Sequence, residues 1–242
     1  MNRSITESVL KTGLPFWEHL TKIEKYDLIN NSIMQEYKSG ALIHRCTDVN
    51  SPGIQIIRHG KARVFISSPD GKQLTLQRIG DYQLFVIGIS CLLNETIFDV
   101  SLETETQCEV LLIPRVLCKK LFDSNVMAKS IAIDILVSSF AKTMRILEAI
   151  AFTSTRSRVA NALIEQSFLS GSSVINVTHA SIAADLGTTR EVVTRILNQF
   201  KDDGLVTLQK QKIQIDKKQE LINIQGDYLG HINNLLYPKP LK

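Results

Sequence analysis

Gly187 stands between two short apolar periodicities, and few folds accommodate that arrangement. In "THASIAADLGTTREVVTRILNQFKDDG", residues 178–204, the run Ala180–Leu186 reads as a helix with Thr178 as its N-cap. Gly187 supplies the positive φ that ends it, and Gly204 ends the next helix in the same way. Ala183, four residues before the glycine, is small enough to let the two helices cross closely. Val193, Ile196, Leu197 and Phe200 fall at i, i+3, i+4 and i+7, which makes one buried stripe. At about 100° per residue, Glu191, Arg195 and Asn198 then point away from it, with Arg190 and Thr194 on the flanks. The pattern predicts a helix-turn-helix.

In such a unit the second helix enters the DNA major groove and reads bases near its N-terminal end. The side-chain chemistry suits that task. An arginine donates two bonds to guanine O6 and N7, and a glutamate accepts from the cytosine amino group. Thr178, Thr189 and the free amides at the start of the second helix suit phosphate oxygens. The same residues admit a purely local role, because Thr188–Glu191 matches a T-x-x-E capping box. A Glu191–Arg195 pair at i, i+4 would orient the arginine and is compatible with base reading. After Gly204, "LVTLQKQKIQI" alternates on both sides of Gln209–Lys212 and predicts a β-hairpin wing, with Lys210 and Lys212 facing backbone phosphate.

Upstream, two other patterns set the organisation. Residues 33–113 consist of short Ile-, Val- and Leu-rich runs punctuated at Gly40, Pro52-Gly53, Gly60, Pro69-Asp70-Gly71 and Gly80. They predict a sandwich or barrel. In the clearest hairpin, Val64 and Ile66 alternate, Asp70-Gly71 turns, and Leu74, Leu76 and Ile79 return. From residue 124 the period changes. Val126, Ile133, Phe140 and Leu147 recur every seventh residue, and Val137, Met144 and Ala151 fill the offset positions. Such a helix could bury the seam against its own barrel. Extra apolar positions at Ile131, Ile135, Leu136, Ile146 and Ile150 favour a flank on the barrel and a seam on a partner. The expectation is a homodimer through Val126, Ile133, Val137, Phe140, Met144 and Leu147. The predicted domains are 1–123, 124–153 and 154–242, the last opening with a helix near Ser157–Leu169.

Charge adds a bias rather than a proof. Residues 156–242 hold 11 Lys/Arg against 8 Asp/Glu and residues 1–155 hold 17 against 16, so most of the basic excess lies beside the helical pair. No signal-like core opens the chain, and no run approaches the roughly 20 apolar residues of a spanning helix. A cytoplasmic protein is expected. Cys46, Cys91, Cys108 and Cys118 form no C-x-x-C pair, so neither a zinc site nor a disulfide framework is indicated. Cys46, Cys91 and Cys108 are candidate redox or effector ligands, with small buried core residues as the alternative.

The order of these segments, with "LGTTREVVTRIL" and "GKARVFISSPDGKQLTLQRIGDYQLF", resembles the Crp/Fnr superfamily of bacterial transcription regulators over nearly the whole chain. The resemblance implies an α+β fold: an N-terminal cyclic-nucleotide-binding-like β-roll, a long dimerisation helix and a C-terminal winged helix-turn-helix. It implies a homodimer on a palindromic operator, base reading by Arg190, Glu191, Thr194 and Arg195, phosphate contacts at Thr178 and Thr189, and RNA polymerase as a partner. Asn198 joins the reading set from the helical face. E-x-x-[ST]-R also resembles the Fnr branch, with Thr194 where serine is usual.

The effector segment departs from the family. Its cyclic-nucleotide members place a glutamate and arginine cassette after the glycine matching Gly80. Here Ile79–Pro114 contains no Lys, Arg or His, whereas Asp81, Glu95, Asp99, Glu103, Glu105 and Glu109 are present. Phe98-Asp99 occupies the place of the arginine and its serine neighbour. A buried phosphate without a cation loses several kcal/mol of desolvation, so a canonical cyclic nucleotide is not expected. The clustered N-terminal cysteines of an iron–sulfur branch are absent as well. Haem or a small apolar ligand, or no ligand, stays open, given His19, His44, His59 and "YQLFVIGISCLL". The competing reading is a cupin-like ligand-binding or enzymatic barrel with a protein-interaction winged helix. It requires a catalytic or metal constellation, and no H-E-x-x-H, G-x-S-x-G, P-loop or histidine pair stands in the β segment.

Overall fold

The computed structural model describes residues 3–45, 53–85 and 100–226, except the Arg45 side chain. They form two compact units. One comprises the described residues up to Ile66 together with Leu76–Ala141, and the other comprises Ser67–Thr75 and the chain from Lys142 on.

The first unit opens with α1 (Arg3–Gly13), a 3-10 turn (Trp17–His19) and α2 (Lys22–Asn31). Thr21 caps α2 through a reciprocal box with Glu24, of the kind that satisfies two orphan amides at once. Strands β1 (Ile33–Tyr37), β2 (Leu42–Arg45), β3 (Gly53–His59), β4 (Ala62–Ser67), β5 (Gln73–Ile79), β6 (Val100–Thr104) and β7 (Cys108–Pro114) follow. They make two sheets, ordered β1-β7-β3 and β2-β6-β4-β5. The expected hairpin is β4–β5, and Gly71 turns it with φ +82°.

Alternation along β3 and β7 divides the core. Ile54, Ile56, Leu111 and Ile113 face the helices, where Leu10, Phe16, Leu28 and Phe122 are buried. Ile57, Cys108 and Val110 face Val64, Phe85, Val100 and Leu102 from the second sheet side. Gly60 cannot carry a side chain. Its φ is +107°, and a Cβ there would stand 2.6 Å from the Cys108 sulfur.

Helices α3 (Arg115–Ser124) and α4 (Val126–Phe152) close this part of the chain. Asn125 separates them. Its Oδ1 accepts from the Ala128 amide, while Nδ2 donates to the His19 carbonyl and to Glu24. Burial of Glu24 opposes its ionisation, but bonds from the Thr21 amide, Asn125, the Thr21 hydroxyl and Ser124 outweigh that and lower its pKa. On α4, Ala128 and Ala132 are buried, and Ile131, Ile135 and Leu136 pack against the helical core. The expected seam faces away: Val126, Ile133, Val137, Phe140, Met144 and Leu147 are all exposed. Ile150, expected on the packed flank, is exposed too, because it lies beyond the part of α4 that meets this core.

The second unit contains α5 (Thr155–Ser170), β8 (Val174–Ile175), α6 (His179–Leu186), α7 (Arg190–Asp202), β9 (Val206–Gln209), β10 (Lys212–Ile215) and a closing helix α8 over 218–226. Its sheet runs β8-β10-β9. Val193, Ile196, Leu197 and Phe200 are buried with Val159, Leu163, Ile182 and Ala183. Gly187 ends α6 at φ +64°.

Arg158 on α5 locks that ending. Its guanidinium donates to the Leu186 carbonyl at 3.1 Å and to the Thr155 hydroxyl at 3.2 Å. Partial burial lowers its pKa, yet the cation lies where unpaired helix carbonyls carry negative partial charge. Arg158→Leu keeps the apolar stem and removes the bonds. It should cost roughly 1–3 kcal/mol, read as a lower urea midpoint with an unchanged m-value.

Candidate nucleic-acid interface

The reading helix starts one residue later than a T-x-x-E box requires. Thr189, not Thr188, is the N-cap of α7, and its hydroxyl accepts from the Val192 amide at 3.4 Å. Glu191 therefore occupies the second helical position and forms no capping box with Thr188. Its carboxylate takes bonds from its own amide and from Thr189, which lower its pKa. The i, i+4 pair with Arg195 is not formed. Glu191 is thus held at the helix N-terminus, where negative charge is favoured, and Arg195 stays exposed.

The structure brings the expected base-reading residues together. Arg190, Glu191, Thr194, Arg195 and Asn198 line one open concavity of about 620 Å³, joined by Gln199 and Asp202. Two cationic forks, two carboxylates and two amides supply the donor and acceptor types that base edges present in the major groove. Thr194 is half-buried, and its hydroxyl lies 2.9 Å from Nδ1 of His179 at the start of α6.

The expected phosphate ligands take a second role. Thr178 caps α6, accepting from the Ser181 amide at 3.0 Å, and its backbone amide bonds the Ser181 hydroxyl. Both threonines stand at helix N-termini, whose amides attract anions. Lys210 and Lys212 are exposed at the wing tip. There Gln209 pairs with Lys212 across a two-residue turn, and Gln211 adopts φ +59°.

Sequence reasoning did not find His179, Gln199, Asp202 or Arg156. Arg156 binds Asp203 at 2.9 Å, reaches Gln199 at 3.4 Å and stacks over the Phe200 ring. The only sequence signal for it is a cation in the first turn of α5, which says nothing of its partners.

The effector candidates fare differently. Cys46 and Cys91 lie outside the described residues, as do Glu95 and Phe98-Asp99. Cys108 is buried and bonds the Lys61 carbonyl at 3.2 Å, and burial raises its thiol pKa. It packs in the core beside Ile57 and Val110, the alternative reading of this cysteine. Cys118 is buried as well, and its thiol is pushed up to about 12 by burial. His19, His44 and His59 do not converge. His19 is in the 3-10 turn, buried His44 lies edge-on to Phe85, and His59 pairs with Asp81 at 3.5 Å. Among the described residues no cluster of three or more His, Cys, Asp or Glu could hold a metal ion. Three of the acids that the sequence left without local cations have arginine partners: Glu103 pairs with Arg63, Glu105 with Arg78, and Glu109 with Arg58.

A β-roll joined to a winged helix-turn-helix with an outward-facing polar groove defines a DNA-binding transcription regulator. Comparison with known proteins agrees. Residues 34–125 match the cyclic nucleotide-binding domain model and 157–224 the Crp-like helix-turn-helix model. A Crp/Fnr-family transcriptional regulator from Eubacterium rectale is 30% identical, with a TM-score of 0.82 over 87% of this chain and 97% of that one. The cyclic AMP receptor protein of Thermus thermophilus is 27% identical over 163 residues, 64% of this chain and 71% of the relative. The regulator CLP of Xanthomonas campestris shares the fold, with 20% identity and a TM-score of 0.66 over 81% of this chain and 99% of that one. The chain belongs to the Crp/Fnr family of transcription regulators and is not an enzyme. None of its described helices is long and apolar enough to cross a membrane.

The burial of the two described cysteines makes a direct expectation. Alkylation of native protein at mildly alkaline pH, with site-resolved mass spectrometry, should leave Cys108 and Cys118 unlabelled. Both should react fully once the protein is unfolded.

Proposed function

We propose that this protein is a cytoplasmic, homodimeric regulator that binds a palindromic operator, with RNA polymerase as the partner its family implies. The observation that carries this reading is the convergence of Arg190, Glu191, Thr194, Arg195 and Asn198 on one concavity of α7. Arg190 and Arg195 offer bidentate donors to guanine, Glu191 accepts from cytosine, and Asn198 suits adenine. Thr178, Thr189, Lys210 and Lys212 would contact phosphate. Two such helices, one from each protomer, would occupy successive major grooves about 34–36 Å apart.

Dimerisation through α4 is supported by the exposure of its seam. Val137 is 62% and Phe140 66% exposed, and a run of large apolar residues in water along a 27-residue helix favours a second copy of the same helix. The effector is not a canonical cyclic nucleotide. Support comes from the absence of Lys, Arg and His between Ile79 and Pro114, and from ion pairs that engage Arg58, Arg63 and Arg78 with glutamates. A cyclic phosphate would have to compete with those carboxylates.

Gel-shift assays against a palindromic promoter site test the reading. Arg195→Ala should weaken operator binding by roughly 1–3 kcal/mol per half-site and relax specificity. Lys210→Ala should weaken specific and random DNA alike and lower the salt slope by about one unit. Added cyclic AMP should leave both curves in place. Equal losses on specific and random DNA for Arg195→Ala would reduce that arginine to a phosphate contact. Phe140→Asp should convert a dimer to a folded monomer in light scattering and abolish binding to the full palindrome. A dimer that survives both Phe140→Asp and Val137→Asp overturns the α4 interface.

A further inference from the structure

Thr194 is chemically ambiguous as a base reader. A threonine hydroxyl has one proton to donate and lone pairs to accept with, so it can address either kind of base-edge atom. The side chain beside it removes the ambiguity. His179 Nδ1 lies 2.9 Å from Thr194 Oγ1, at the point where α6 crosses α7.

His179 is held firmly. It is the first residue of α6, directly after Thr178, whose reciprocal box with Ser181 fixes the helix start. Burial and the nearby Arg190 charge lower its pKa, so the ring is neutral at neutral pH and offers one donor and one acceptor nitrogen. When Nε2 carries that proton, Nδ1 is a lone pair and the 2.9 Å contact takes its hydrogen from Thr194.

We propose that His179 is a specificity-determining positioning residue: it accepts the hydrogen bond donated by the Thr194 hydroxyl, so that Thr194 presents only lone pairs to the groove and selects a base whose major-groove edge carries an amino group, cytosine or adenine. The inference rests on the reading of α7 as the base-contacting helix. His179 acts through Thr194 and touches no base itself.

A half-site library bound to the full-length protein at neutral pH tests it. The position read by Thr194 is the one where Thr194→Val loses discrimination. There the wild type should prefer cytosine or adenine by roughly threefold to tenfold, the worth of one neutral hydrogen bond. His179→Ala should erase that preference while leaving random-DNA affinity and the salt slope unchanged. His179→Asn, whose amide oxygen can take the place of Nδ1 as acceptor, should restore it. The double variant with Thr194→Val should add nothing to Thr194→Val alone.

Four results overturn the proposal: a preference for guanine or thymine at that position, its persistence in His179→Ala, a uniform loss of affinity with a shallower salt slope, or no position that depends on Thr194. Arg195→Ala in the same library keeps two failures apart. If it relaxes specificity while His179→Ala does not, only the positioning role falls. If Arg195→Ala and Thr194→Val both leave discrimination intact, the base-reading assignment of α7 falls with it. Thermal melts of His179→Ala and His179→Asn confirm that each is folded under the binding conditions.

Discussion

Val193, Ile196, Leu197 and Phe200 are packed against Val159, Leu163, Ile182 and Ala183, and the orientation of α7 follows from that contact. Burying one such side chain contributes about 1.5–3 kcal/mol. Turning the helix by a single residue would expose the stripe and bury Glu191 or Arg195 in its place, at a cost far above any local preference. The polar face therefore points where it does because the apolar face cannot move. Two arginines of α5 reinforce the arrangement from opposite ends. Arg158 holds the last carbonyl of α6, and Arg156 joins Gln199 and Asp203 at the end of α7. Each places a cation where a helix dipole is negative.

Electrostatics in the first unit obey a related logic. A stretch rich in acids and devoid of cations reads as a repulsive surface when taken as a string. In the folded strands its Glu103 and Glu109 meet cations, because antiparallel pairing places β6 beside β4 and β7 beside β3. Arg63 reaches Glu103, and Arg58 reaches Glu109, along those registers. These carboxylates are satisfied within the unit, and Arg58, Arg63 and Arg78 are engaged in doing so. That is a different use of charge from a pocket that keeps a guanidinium in reserve for a phosphate.

Much of this was legible in the sequence wherever the cause is local. The stripe on α7, the turn at Gly187, the hairpin at Asp70-Gly71 and the wing all follow from periodicity and turn chemistry within a dozen residues. The long α4 was readable for the same reason. What escaped depends on contacts between distant residues. Arg158 meets Leu186 across 28 positions, and His179 meets Thr194 across 15, so neither leaves a trace in spacing. Strand β8 has two residues and is held by β10; its formation is decided by its partner. The capping box failed over one residue. Thr188 and Thr189 are equally good caps by type, and in the fold it is the Thr189 hydroxyl that takes the Val192 amide.

The faces of α4 invert the usual order of a surface helix. An ordinary amphipathic helix turns its bulkiest apolar residues inward and leaves small or charged ones outside. Here alanines 128 and 132 are inside, which lets the helix backbone approach the sheet-backed core closely, with Ile131, Ile135 and Leu136 flanking them. The larger Val137, Phe140 and Leu147 remain in water. A monomer gains little from that distribution, since several large side chains stay hydrated while the fully buried positions of α4 carry only methyl groups. In the proposed dimer a second α4 would reverse the balance, each exposed knob finding a hole between four residues of its partner. A two-fold axis in that proposed dimer would relate every residue of one protomer to its copy, those of α7 included, and a palindrome is read by such a pair.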